Sequence, residues 1–136
     1  MKMSKTRLFV SKKLSANILI YIKNKQHHFL KNVLRIKKED SINLFDGFTG
    51  EWLSKVISIN RDNIVLQIQN KLRDIPKETD LWLIFAPIKS YRMNITIQKA
   101  TELGISRFIP ILTEYTNQSK INFKNFELNM IEASEQ

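Results

Sequence analysis

A chain of 136 residues, 43% hydrophobic and 26% charged, has the balance of a globular protein. It can bury roughly two thirds of its unfolded surface, in one ordinary core or two small ones. No apolar run approaches the roughly 20 residues of a membrane helix, the basic start MKMSKTRLF leads into no signal-peptide core, and the absence of cysteine excludes disulfides and thiolate metal sites. A cytoplasmic location and no membrane partner are expected.

The net charge of +9 is unevenly placed: residues 1–75 hold 15 Lys and Arg against 6 Asp and Glu, whereas residues 76–136 hold 7 against 7. A cationic excess confined to one segment points to a polyanion partner, because Lys and Arg that neutralise phosphates release condensed counterions. Drift toward lysine in an AT-rich genome is the alternative, since Lys outnumbers Arg 16 to 6, but drift would spread the excess evenly.

In chain order, residues 7–10, 17–22, 41–45, 51–59 and 64–69 are short apolar runs separated by turn signals, which predicts five strands of a small barrel or sandwich. In the last run Ile64, Leu66 and Ile68 alternate with Val65, Gln67 and Gln69. Asp46-Gly47 through Gly50, and Arg61-Asp62-Asn63, supply the positive-φ and Asx-turn residues that strand connections need. One helix interrupts the series, with Asn24 placed to cap it and Phe29, Leu30, Val33 and Leu34 forming its apolar stripe as far as Arg35.

Residues 71–80, KLRDIPKETD, are polar, aperiodic and contain Pro76, as a linker would. Beyond them a strand (81–86), a helix (90–103), a strand (106–112) and a helix from 122 alternate, which implies βαβ units and a parallel sheet. Ser90 is placed to cap the first of these helices, Met93, Ile97, Ala100 and Leu103 form its buried stripe, and Gly104 suits the left-handed position that ends it. Two parallel strands cannot cover both faces of a sheet, so an exposed apolar face is expected around Ile97, Ile109 and Ile111.

Candidate chemistry is sparse. His27 and His28 are the only histidines; adjacent helical positions point about 100° apart, and no cysteine or third ligand accompanies them, so no metal is expected. His28 has Lys31, Arg35, Lys37 and Lys38 nearby and suits a phosphate or base edge. Lys89 and Arg92 bracket a helix start just past a strand's C-terminal end, where anions and ligands bind in open α/β sheets. No glycine-rich phosphate loop, nucleophile elbow or catalytic carboxylate pair is present.

Four stretches, TRLFV, HFLKNVLRIKKEDSINLFDG, APIKSYRMNITIQKATELGISRFIPILTEYT and IEASEQ, together resemble the 16S ribosomal RNA uridine-N3 methyltransferase (RsmE) family, in family order and over nearly the whole chain. The resemblance implies an α+β then α/β architecture. Residues 1–75 would form a small PUA-like RNA-binding β-barrel and residues 76–136 the first half of a knotted, parallel SPOUT methyltransferase domain. It further implies S-adenosylmethionine as cofactor, the 16S rRNA of the small ribosomal subunit as partner, a homodimer in the complete family member, and methyl transfer to N3 of a uridine. Arg7, His28, Arg35, Lys37, Lys38, Lys89 and Arg92 then match positions expected in RNA contact or domain architecture. Glu102, Glu132, Glu135 and Gln136 match family-typical positions without an assigned catalytic role. The family's GPEGG-type cofactor loop has no counterpart in this sequence, so no cofactor-binding residue is expected here. The expectation is a truncated form inactive alone, with a non-catalytic RNA-binding module as the alternative.

Overall fold

The computed structural model describes residues 4, 6–77, 79–116 and 120–136. The chain divides into two compact units, Met1–Ile75 and Pro76–Gln136.

The first unit is built on five strands: β1 (Arg7–Phe9), β2 (Leu19–Ile22), β3 (Ser41–Phe45), β4 (Glu51–Ile59) and β5 (Ile64–Arg73). They pair in the order β1-β3-β4-β5-β2, antiparallel throughout except that β1 runs parallel to β3. The alternation in the sequence turns Ile42, Leu44, Val56, Ile64, Leu66 and Ile68 into one core with Leu8, Ile20 and Ile22 from the two edge strands. The polar run at residues 71–73 is not linker: it extends β5, with Lys71 opposite Trp52 and Arg73 opposite Glu51. Gly50 explains the tight crossing at that point, since a Cβ there would lie 2.3 Å from the Arg73 carbonyl oxygen and its φ is +112°.

Between β2 and β3 lies α1 (Asn24–His28), prolonged by a wide π turn over Phe29–Val33. Asn24 does not cap it. Lys23 holds the cap position with no side-chain cap bond, and Asn24 itself takes φ 54°. Leu30 anchors the turn in the core at 0% exposure, and the Gln26 side chain donates to the Phe9 carbonyl at 2.9 Å, tying this helix to β1.

The second unit comprises β6 (Trp82–Phe85), α2 (Ser90–Glu102), β7 (Arg107–Pro110) and α3 (Phe123–Ser134). The two strands are parallel, as the βαβ pattern requires, and pair Trp82 with Arg107 through Phe85 with Pro110. Met93 and Ile97 of α2 and Phe126 of α3 form the core, against which Phe85 and Phe108 pack from the strands. The Phe126 ring stacks on Phe85 and meets Phe108 edge-on, with centroids 6.1 and 5.5 Å apart.

Three local expectations need correction here. Lys89, not Ser90, occupies the cap position of α2. Leu103 leaves the buried stripe because it sits at the C-cap, where Gly104 (φ 86°) ends the helix in a Schellman turn: the amide of Ile105 donates to Ala100 and that of Gly104 to Thr101, both at 3.0 Å. Ile97 does not belong to the exposed apolar face, since α3 and the strands bury it completely. Ile111 is exposed as expected and Ile109 half-buried, and the strand pair also exposes Trp82 and Ile84, with the Arg107 guanidinium 4.7 Å from the Trp82 ring centroid.

Candidate nucleic-acid interface

On the first unit, α1 and the loop into β3 carry most of the cations singled out in the sequence. The loop is pinned from below. Asp40, almost fully buried, accepts from the Lys37 amide at 2.7 Å, and Val56 of β4 exchanges backbone bonds with Glu39 and Asp40 at 2.9 Å. Arg35 and Glu39 adopt left-handed φ values of 49° and 71°, which turn the chain outward, and Arg35, Lys37 and Lys38 are all exposed. Glu39 pairs with Lys55, whose hydrogen bond holds the Glu39 carboxyl below the usual carboxylate range. His28 is exposed at the end of α1, while His27 faces the turn between β4 and β5: its Nε2 lies 3.3 Å from the Asn60 carbonyl, to which Lys31 also donates at 3.1 Å.

Arg7 belongs to another cluster. Its guanidinium lies 4.5 Å from the Phe45 ring centroid and 3.5 Å from Glu51, a buried carboxylate that also accepts from Asn43 at 2.7 Å and from both Nε and Nη2 of Arg73. Burial pushes the Glu51 carboxyl up, but the hydrogen bonds from Asn43 and Arg73 and the charges of both arginines outweigh it and leave the pKa lowered. The sequence reading missed this cluster, because Arg7 and Glu51 are joined only through the β1-β3-β4 pairing.

The loop between β3 and β4 is organised by one carboxylate. Asp46, 1% exposed, accepts at Oδ1 from the amides of Phe48 and Thr49 and at Oδ2 from the Thr49 hydroxyl and the Leu14 amide, at 2.7 to 2.8 Å. Burial would raise its pKa, and these four bonds reverse the effect, bringing it from 3.8 to about 2. The Asp-Gly signal marked the turn; the partner at Leu14 has no local signature.

On the second unit, Lys89 and Arg92 are exposed at the start of α2, where the sequence put them. Beside them a cleft of about 260 Å³ is lined by Pro87, Ile88, Ser90, Asn94, Lys120 and Asn125, among others. Asn94 Oδ1 accepts from Asn125 and Asn129 at 3.2 and 2.8 Å, so its amide fastens α2 to α3. Glu102 pairs with Lys99 at 2.8 Å, Glu132 and Gln136 are exposed, and Glu135 forms the C-cap of α3. Among the described residues no three His, Cys, Asp or Glu side chains gather as a metal site would require.

Two family profiles match in sequence order: an RNA methyltransferase PUA domain over residues 22–69 and an RNA methyltransferase domain over residues 76–136. Ribosomal RNA small subunit methyltransferase E of Rickettsia conorii is 31% identical over 135 residues, 98% of this chain and 55% of that protein. The chain belongs to the RsmE family of RNA methyltransferases. A second RsmE-family relative, from Buchnera aphidicola, is 26% identical over 97% of this chain and 58% of its own length. The chain thus spans just over half the length of these curated relatives. Among solved structures, an RsmE from Neisseria gonorrhoeae bound to S-adenosylmethionine superposes with a TM-score of 0.83 at 23% identity, over 96% of this chain and 56% of that one. A Legionella pneumophila protein, also solved with S-adenosylmethionine, gives 0.85 at 21% identity, over 98% and 58%. At these identities the superpositions establish a shared fold: a mixed sheet followed by parallel strands with helices.

Proposed function

We propose that this chain is the RNA-gripping unit and the opening βαβα segment of an enzyme that methylates N3 of a uridine in 16S rRNA, with S-adenosylmethionine as methyl donor. The observation that carries the reading is the pair of RNA methyltransferase profiles, matched in order on two compact units. In this reading Met1–Ile75 is a PUA-like barrel and Pro76–Gln136 the first part of a knotted SPOUT domain that pairs with a second copy. His28, Arg35, Lys37 and Lys38 are the exposed groups suited to RNA phosphates, Lys89 and Arg92 offer two further cations on the second unit, and Arg7 keeps the β1 edge in place.

The cleft described at the start of α2 does not fit the methyl donor. The cleft at the start of α2, about 260 Å³, falls below the roughly 300–1,000 Å³ of small-molecule sites, and its Asn94 and Asn125 amides bond one another. No step of the transfer is therefore assigned to a residue of this chain. A second reading, a non-catalytic RNA-binding module, rests on the cationic excess of the first unit.

Labelled methyl transfer to small ribosomal subunits lacking the modification separates the two. The assay is run with this chain alone and with the segment that completes the relatives added. Transfer in either arm supports the enzyme, whereas no transfer in both arms alongside retained binding of the subunits leaves the module.

A further inference from the structure

Phe48 stands at the tip of the loop between β3 and β4 with 77% of its surface exposed. A single exposed apolar side chain is ordinary, but here three further observations coincide with it. The loop is rigid: Asp46 binds the amides of both Phe48 and Thr49, and the Thr49 hydroxyl in turn accepts from Trp52 Nε1 at 3.0 Å. The flanks are basic. The Leu14 amide is fastened to the same carboxylate, which brings the exposed Lys12 and Lys13 beside the loop, whereas Lys71, over the Trp52 ring at 5.8 Å, is ion-paired with Asp74. Gly47, immediately before the ring, has positive φ, and a Cβ there would meet only the Phe9 ring at 4.0 Å, so no side chain crowds Phe48 from that side.

We propose that Phe48 is a stacking platform for an unpaired nucleobase of the RNA, with Lys12 and Lys13 meeting the adjacent phosphates. The proposal deepens, and rests on, the reading of the first unit as RNA-binding. An aromatic face between cations is how single-stranded nucleic acid is held without base-edge readout, and each base has a π-face to offer. The rigidity matters because a platform already fixed in the folded state loses little further freedom when a base settles on it. The platform positions the strand; it is separate from whichever site takes the target uridine.

The test uses the whole chain and a short single-stranded oligoribonucleotide carrying 2-aminopurine, with affinity read by anisotropy and stacking by 2-aminopurine quenching. Phe48→Ala is expected to weaken binding by about 5- to 150-fold and abolish the quenching, while Phe48→Tyr keeps both and Phe48→Leu restores neither. Lys12→Gln with Lys13→Gln lowers the salt dependence of binding while leaving the quenching at saturation. Melting temperatures matching wild type establish that the exposed substitution spares the fold. Unchanged affinity and quenching in Phe48→Ala, or full recovery with Leu, overturns the platform while RNA binding by the unit survives. If Phe48→Ala instead loses only its hold on intact small subunits, the ring serves a contact other than stacking on an unpaired base and the proposal falls. Failure of the wild-type chain to bind the oligoribonucleotide removes the RNA-binding reading and the platform together.

Discussion

Replacing Asp46 by Asn removes one charge from the centre of the loop between β3 and β4 and turns an amide donor toward a site lined only with donors. The Asp46 carboxyl falls from 3.8 to about 2 on folding, a difference that corresponds to about 2 kcal/mol of stability. Because the folded pKa is the lower one, this contribution is fully present above about pH 4 and is lost as pH falls through 2. With the added mismatch of donors, Asp46→Asn is expected to cost about 2–4 kcal/mol at neutral pH. Urea unfolding followed by Trp52 fluorescence, in a Trp82→Phe background, reports on this unit directly, since Trp52 Nε1 donates to the Thr49 hydroxyl in the same network. Other titrating groups are common to both proteins, so the difference between them isolates Asp46. That difference should shrink by about 2 kcal/mol between pH 4 and pH 2; a gap constant across the range would refute the account of how the loop is held.

Glu51→Gln strips the charge that Arg7 and Arg73 share and should lower the urea stability of the first unit by about 1–3 kcal/mol, discounted because Arg73 is largely exposed. Gly50→Ala drives a Cβ into the Arg73 carbonyl oxygen, so loss of the folded first unit, at a cost above about 4 kcal/mol, is expected in circular-dichroism melts. Ile97→Ala empties a fully buried position between α2, α3 and the strands, and Trp82 fluorescence should report about 2–5 kcal/mol of destabilisation confined to the second unit.

How legible each feature was follows from how local its cause is. The limits of β3 and β4 could be read from the sequence because alternation and the Asp-Gly turn are encoded within a few residues. The extension of β5 to Arg73 could not: its polar end is held as strand by Glu51 on the neighbouring strand. Gly104 announced the end of α2, yet the same turn that it permits lifts Leu103, 82% exposed, out of a stripe that periodicity alone assigns to the core. The exposed His28, Arg35, Lys37 and Lys38 were readable from clustering. The engagement of Arg7 with Glu51 and Phe45, and the bracing of the Phe48 loop by Leu14, depend on contacts between distant segments and emerge only with the fold.

The strand order β1-β3-β4-β5-β2 also places a schedule on the making of this protein. The two strands synthesised first are the two edges of the sheet, and neither pairs with the other. β1 has no partner until residues 43–45 exist, and β2 none until residues 64–67 do. The hairpin of β4 and β5, by contrast, closes through a four-residue connection and joins β3 next to it in the chain. On a nascent chain the opening segment, with its lysines and the apolar Leu8, Ile20 and Ile22, therefore waits unpaired while the centre of the sheet is still being made.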